Sequence, residues 1–135
     1  MPFFSLLYGI IDTTSRALTF VRAGQPNPIL QEIAGQARLL RADGEALGAA
    51  SEESRAEVVV LMKPRERLFI YADGVVEFTS PTMEQFGVGR LVKAIEATHY
   101  LELPNAVAAL DKDLLLWRGN EAFDDDLCLL ALEID

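Results

Sequence analysis

Two short apolar runs, Val58-Val59-Val60-Leu61-Met62 and Leu68-Phe69-Ile70-Tyr71, constrain the fold more than any other feature of this chain. Each is too short for an ordinary helix and too continuous for a strand with one wet face, so Glu57 to Met62 and Arg67 to Ala72 read as strands covered on both sides. The polar Lys63-Pro64-Arg65-Glu66 joins them as a turn. Strands of this kind demand layers above and below them.

Further strands lie upstream. Phe3 to Ile11 and Arg16 to Arg22 are rich in aromatic and branched residues, and Asp12-Thr13-Thr14-Ser15 between them supplies turn chemistry, which predicts a β-hairpin. The prolines of Ala23-Gly24-Gln25-Pro26-Asn27-Pro28 make that stretch a loop. Short strands are expected at Ile29 to Ile33 and Ala37 to Arg41, followed by a turn at Asp43-Gly44 and a small, polar surface loop over Gly44 to Ser54.

The second half changes period. Val88, Leu91, Val92 and Ile95 fall at i, i+3, i+4 and i+7, the apolar stripe of a surface helix. Pro104 can open a second helix, along which Val107, Leu110, Leu114 and Trp117 repeat until Gly119 ends it. Asp124-Asp125-Asp126 then leads into a last strand, Leu127 to Ile134. The expected fold class is α+β, with mainly antiparallel strands, helices on one side of a sheet and something else on the other.

With 135 residues the chain is the size of one domain, so a single core over 1–135 is expected. Twelve Lys and Arg against twenty-one Asp and Glu give a net charge of −9, which argues against nucleic acid and anionic lipid as partners. Cys128 is the only cysteine, so neither an internal disulfide nor a cysteine-based zinc site can form, and a reducing, cytoplasmic setting is expected. The N-terminal stretch lacks a basic n-region and is interrupted by Ser5, Tyr8, Gly9 and Asp12, which predicts no membrane insertion.

Candidate chemistry lies in the acidic motifs Asp73-Gly74 and Asp124-Asp125-Asp126. Asp73 ends one buried strand and Asp125 precedes another, so antiparallel pairing of the two strands would bring the carboxylates to one sheet edge. Mg²⁺ and Mn²⁺ prefer oxygen ligands and need only one or two carboxylates besides water. Two such ions about 4 Å apart can acidify a bridging water and aim it at a phosphoryl group. Asp-Gly is equally a common turn dipeptide, and three aspartates before a strand equally suit a solvated loop. Glu77 reads as a group near Asp73 or as a solvated glutamate, His99 as a surface residue, Cys128 as a small core residue, and Met83, Phe86, Leu91, Ile95 and Trp117 as core.

In order along the chain stand Phe4-Ser5-Leu6-Leu7-Tyr8-Gly9, Ala23-Gly24-Gln25-Pro26, Leu47-Gly48, Tyr71-Ala72-Asp73-Gly74-Val75-Val76-Glu77, Phe86-Gly87 with Arg90-Leu91, and Asp124-Asp125-Asp126-Leu127. This set resembles the SpoIIE/RsbU-type branch of the bacterial metal-dependent protein phosphatases, within the protein phosphatase 2C-like superfamily, over essentially the whole chain. The resemblance implies an αββα sandwich and a site for two Mn²⁺ or Mg²⁺ ions. Asp73 and Asp125 correspond to metal ligands, with Gly74, Asp124 and Asp126 in support. It also implies hydrolysis of phosphoserine or phosphothreonine by a metal-bound hydroxide, on a phosphorylated regulatory protein such as an anti-anti-sigma factor.

The sequence departs from the family pattern in one large way: the upstream Gly-Asp-Val-x-Gly-His-Gly motif, whose Asp-Gly pair holds both metals, is absent. The chain therefore reads as the C-terminal part of a partial domain, inactive alone. Its parent is expected to be a response-regulator-like signalling protein with an upstream sensor or receiver domain, and homodimer formation is the other way to cover its sheet. Gln25 stands where the family has His, Ala72 where it has Thr or Ser, and Cys128 where it often has Thr. These differences support an alternative of another class, a non-catalytic phosphatase-like interaction module in a signalling or sigma-factor pathway.

Overall fold

A computed structural model describes residues 5–41, 57–119 and 127–135 of the chain. The expected turn at Asp43-Gly44, the loop over Gly44 to Ser54 and the acidic run Asp124-Asp125-Asp126 lie outside the described residues.

Two antiparallel sheets face each other. The first joins β1 (Leu6–Ile11), β2 (Ala17–Ala23) and β5 (Val58–Leu61) in the order β1-β2-β5. The second joins β3 (Ile29–Gln31), β4 (Ala37–Leu39), β6 (Arg67–Tyr71) and β7 (Leu129–Glu133) in the order β4-β3-β6-β7. The β1–β2 hairpin forms where turn chemistry predicts it, with Asp12 Oδ1 accepting the Thr14 and Ser15 amides at 2.8 and 3.1 Å. Those bonds, Ser15's first, hold the Asp12 carboxyl below its ordinary range.

Between the sheets, period-two alternation puts Leu18, Phe20 and Met62 of one layer against Leu30, Leu68, Ile70 and Leu132 of the other. On its far side the second sheet carries α2 (Gly87–Ala97) and α3 (Leu103–Arg118), with Pro104 in the first turn of α3 as expected. Their buried residues Leu91, Ile95, Leu110 and Leu114 meet Ile29, Phe69 and Tyr71. The "something else" opposite the helices is thus a second sheet, and the helices lie on one side as predicted.

The two apolar runs that look alike in sequence part company here. Lys63-Pro64-Arg65-Glu66 does not return the chain to its own sheet; it carries it from β5 in the first sheet to β6 in the second. Glu66 fixes this crossover, its buried carboxylate accepting the Lys63 amide. β6 sits centrally in its sheet and is buried on both faces, as predicted. β5 is an edge strand covered on one face only, with Val59 62 % and Leu61 71 % exposed, which corrects the expectation of two-sided cover. Register aligns Ile10 with Thr19 and Thr19 with Val59, so Tyr8, Ile10, Val59 and Leu61 share one apolar outer face that stays exposed among the described residues.

Candidate metal-binding end of the second sheet

β6 and β7 are antiparallel neighbours, with Phe69 opposite Ala131 and Tyr71 opposite Leu129. The ladder runs one step further, because the Ala72 amide donates to the Cys128 carbonyl at 3.0 Å. The next residue in one direction is Asp73, and in the other Leu127, which follows the acidic run directly in sequence. The condition attached to the two carboxylates in the sequence, antiparallel pairing of their strands, is therefore met for the strands themselves. Asp125, Asp124 and Asp126 lie outside the described residues.

Asp73 stands at the turn from β6 into the single-turn helix α1 (Gly74–Glu77), already with helical backbone angles of −51° and −36°. Its carbonyl accepts the Val76 and Glu77 amides, each at 3.0 Å, while its side chain makes no capping bond. The carboxylate is exposed at the sheet edge. Val75, fully buried, pins α1 to the core, so Asp73 and Gly74 are carried by an anchored turn. Glu77 is exposed one turn later.

Tyr71 precedes this turn and is buried. Burial first, and then the Asp73 carboxylate, push its hydroxyl up to about 12. A groove of about 390 Å³ is lined by Val75, Leu110, Leu114, Leu127 and Leu129, with Asp111 as the one carboxylate among its described lining residues.

An exposed carboxylate on an anchored backbone suits a hard cation, but one carboxylate does not make a site. Among the described residues no three His, Cys, Asp or Glu side chains gather around one point. The donor chemistry fits Mg²⁺ or Mn²⁺ only if further oxygen ligands join it.

Two side chains read from sequence as core are placed elsewhere. Cys128 is exposed, because β7 is an edge strand whose inward positions at this end are Leu127 and Leu129. Met83 is 79 % exposed on a turn, with a φ of 65°. His99 is a surface residue as expected; it bonds the Glu96 carbonyl and packs over Gly35. Gln25, the departure from His, donates to Ser5 Oγ at 2.9 Å. The polar contacts of Arg90 and Trp117 with the Glu84 turn are not legible in the sequence, because a tryptophan at helical spacing has the signature of core packing.

Two packed antiparallel sheets with helices outside one of them form, among the described residues, three of the four layers of the αββα sandwich that the resemblance implies. The family profile of stage II sporulation protein E (SpoIIE) matches residues 1–135, and the chain belongs to that family. Protein IcfG of Synechocystis sp. is 30% identical over 95 residues, 70% of this chain and 15% of that protein. The SiaA PP2C domain of Pseudomonas aeruginosa superposes with a TM-score of 0.82 at 19% identity, covering 97% of this chain and 51% of that one. The Bacillus subtilis SpoIIE phosphatase domain, presoaked with Mn, superposes with a TM-score of 0.75 at 18% identity, covering 97% and 56%. The chain thus spans about half the length of these solved domains and far less of IcfG. No helix among the described residues is long and apolar enough to cross a membrane.

Proposed function

We propose that this chain supplies one half of a Mg²⁺- or Mn²⁺-dependent serine/threonine phosphatase site that acts on a phosphorylated regulatory protein in cytoplasmic signalling. The observation that carries the reading is the β6–β7 pairing, which runs Asp73 and the residue following the acidic run to the same end of one sheet. Asp73 and Asp125 would hold the cation, with Gly74, Asp124 and Asp126 in support. When bound, the cation supplies an acidified, oriented water for attack on a phosphoryl group.

The chain's own residues hold the frame. Val75 anchors the Asp73 turn in the core, and the Ala72–Cys128 bond locks the strand ends together. Because the Gly-Asp-Val-x-Gly-His-Gly motif is absent from the sequence, this half-site would be inactive without further ligands. The Mn presoak of the B. subtilis relative supports the choice of cation.

The test is a calorimetric Mn²⁺ titration of the chain beside Asp73→Asn and Asp125→Asn. Saturable binding that both substitutions abolish is expected. No binding, or binding indifferent to both, would sink the metal reading and favour the non-catalytic interaction module, for which the altered Gln25 and Ala72 speak.

A further inference from the structure

The segment from Phe78 to Phe86 leaves α1 and enters α2 as a closed turn. The Phe86 amide donates to the Phe78 carbonyl at 3.0 Å, and the two rings stack at 5.4 Å. Inside the turn the Ser80 amide donates to the Glu84 carbonyl at 2.9 Å.

Two side chains from the helices grip this turn. The Arg90 guanidinium donates to the Gln85 and Phe86 carbonyls at 2.9 and 3.0 Å and to Glu84 Oε1 at 2.6 Å. It lies 4.1 Å over the Trp117 ring. Trp117 in turn donates its indole N–H to the Glu84 carbonyl at 3.0 Å and meets Phe86 edge-on. At the end of α3, a Cβ on Gly119 would stand 2.9 Å from Pro81 Cγ, so the turn abuts the chain just before residues 120–126.

The turn is therefore tied at both ends to segments the proposed site depends on. Through Phe78, whose amide bonds the Gly74 carbonyl at 3.3 Å, it continues the helix that Asp73 opens. Through Trp117 and Gly119 it touches the helix that leads into the acidic run. The Arg90–Glu84 ion pair is largely exposed and by itself holds little. The planar fork is what matters: it grips two carbonyls and a carboxylate while stacking on a ring, which a lysine point charge cannot do.

We propose that Arg90 and Trp117 are positioning residues that clamp the 78–86 turn and thereby hold the α1 turn that carries Asp73. The inference rests on the phosphatase reading for its consequence, metal affinity, but not for the clamp itself.

The test uses the 135-residue chain and two variants, Arg90→Gln and Trp117→Phe, with Asp73→Asn as the metal control. Amide hydrogen exchange is followed without metal, and Mn²⁺ affinity is measured by calorimetry well below the melting temperature of each variant. Exchange at the Ala72, Val76 and Glu77 amides is expected to quicken about tenfold in both variants while the β2–β5 amides keep their protection. Mn²⁺ affinity is expected to weaken about tenfold, the scale for groups that orient ligands without touching the metal. Unchanged exchange at those three amides, quickening shared equally by the β2–β5 amides, or wild-type affinity in the folded variants would each overturn the proposal. If the wild-type chain binds no Mn²⁺ at all, the phosphatase reading loses its support, and exchange alone decides the clamp.

Discussion

Leu61 and Leu68 sit in the two apolar runs that the sequence cannot tell apart, yet one is 71 % exposed and the other 3 %. The same substitution at both positions tests the sandwich directly. Leu68 packs between the sheets with Leu18, Phe20 and Leu30, so Leu68→Ala removes a buried side chain and leaves a cavity, at a cost of about 2–5 kcal/mol. Leu61 has buried only about three-tenths of its surface, and full burial of a leucine contributes about 1.5–3 kcal/mol, so Leu61→Ala should cost only about 0.5–1 kcal/mol. At roughly 3–5 °C per kcal/mol for a domain of this size, the first variant should melt about 10 °C lower and the second about 2–4 °C lower. Urea unfolding followed by tryptophan fluorescence, with Trp117 as the single reporter, measures both free energies in one experiment. Equal losses would refute the reasoning, because they would mean that the outer face of the first sheet is covered. Repeating the unfolding over a hundredfold range of protein concentration separates cover by a second copy, which makes the midpoint concentration-dependent, from cover within the chain.

Three further outcomes follow from local geometry. Gly35 has a φ of 104° and its hydrogen faces the His99 ring at 2.8 Å from an ideal Cβ, so Gly35→Ala should destabilise by more than about 1 kcal/mol. Adding His99→Ala should recover the steric part but not the backbone part, which a double-mutant cycle resolves. Glu133→Gln should cost about 3 kcal/mol in chemical unfolding, since it leaves the buried Arg67 guanidinium, 3.4 Å from that carboxylate, without its counter-charge. Tyr71 should ionise near 12 in an ultraviolet pH titration, and Tyr71→Phe should delete that component. The sign of its effect on stability is set by linkage. The folded state holds the phenolic proton above the ordinary value of 10.0, so Tyr71 contributes stability below about 10 that is lost as pH rises towards 12.

What the chain reveals without coordinates is local. The β1–β2 hairpin, the helices at Gly87–Ala97 and Leu103–Arg118 and the last strand are all legible, because turn chemistry, a proline in the first turn and apolar periodicity act over a few residues. The ordered motifs around Asp73 likewise point to the SpoIIE family before any contact is known. The single turn of α1 escaped, since four residues carry no period. Met83 was misplaced because an apolar side chain at the tip of a closed turn has the same letter as one in the core.

Tertiary structure alone decided the rest. Whether β5 or β6 is covered twice depends on which sheet each joins and whether it lies at an edge, and both runs are equally unbroken in their apolar character. Cys128 is exposed for the same reason: β7 is an edge strand, and burial there is settled by what faces it, not by its neighbours in sequence. The end of the sheet that carries Asp73 was a conditional in the sequence and became a geometry only when β6 and β7 paired, since an antiparallel register is a contact between residues some sixty positions apart.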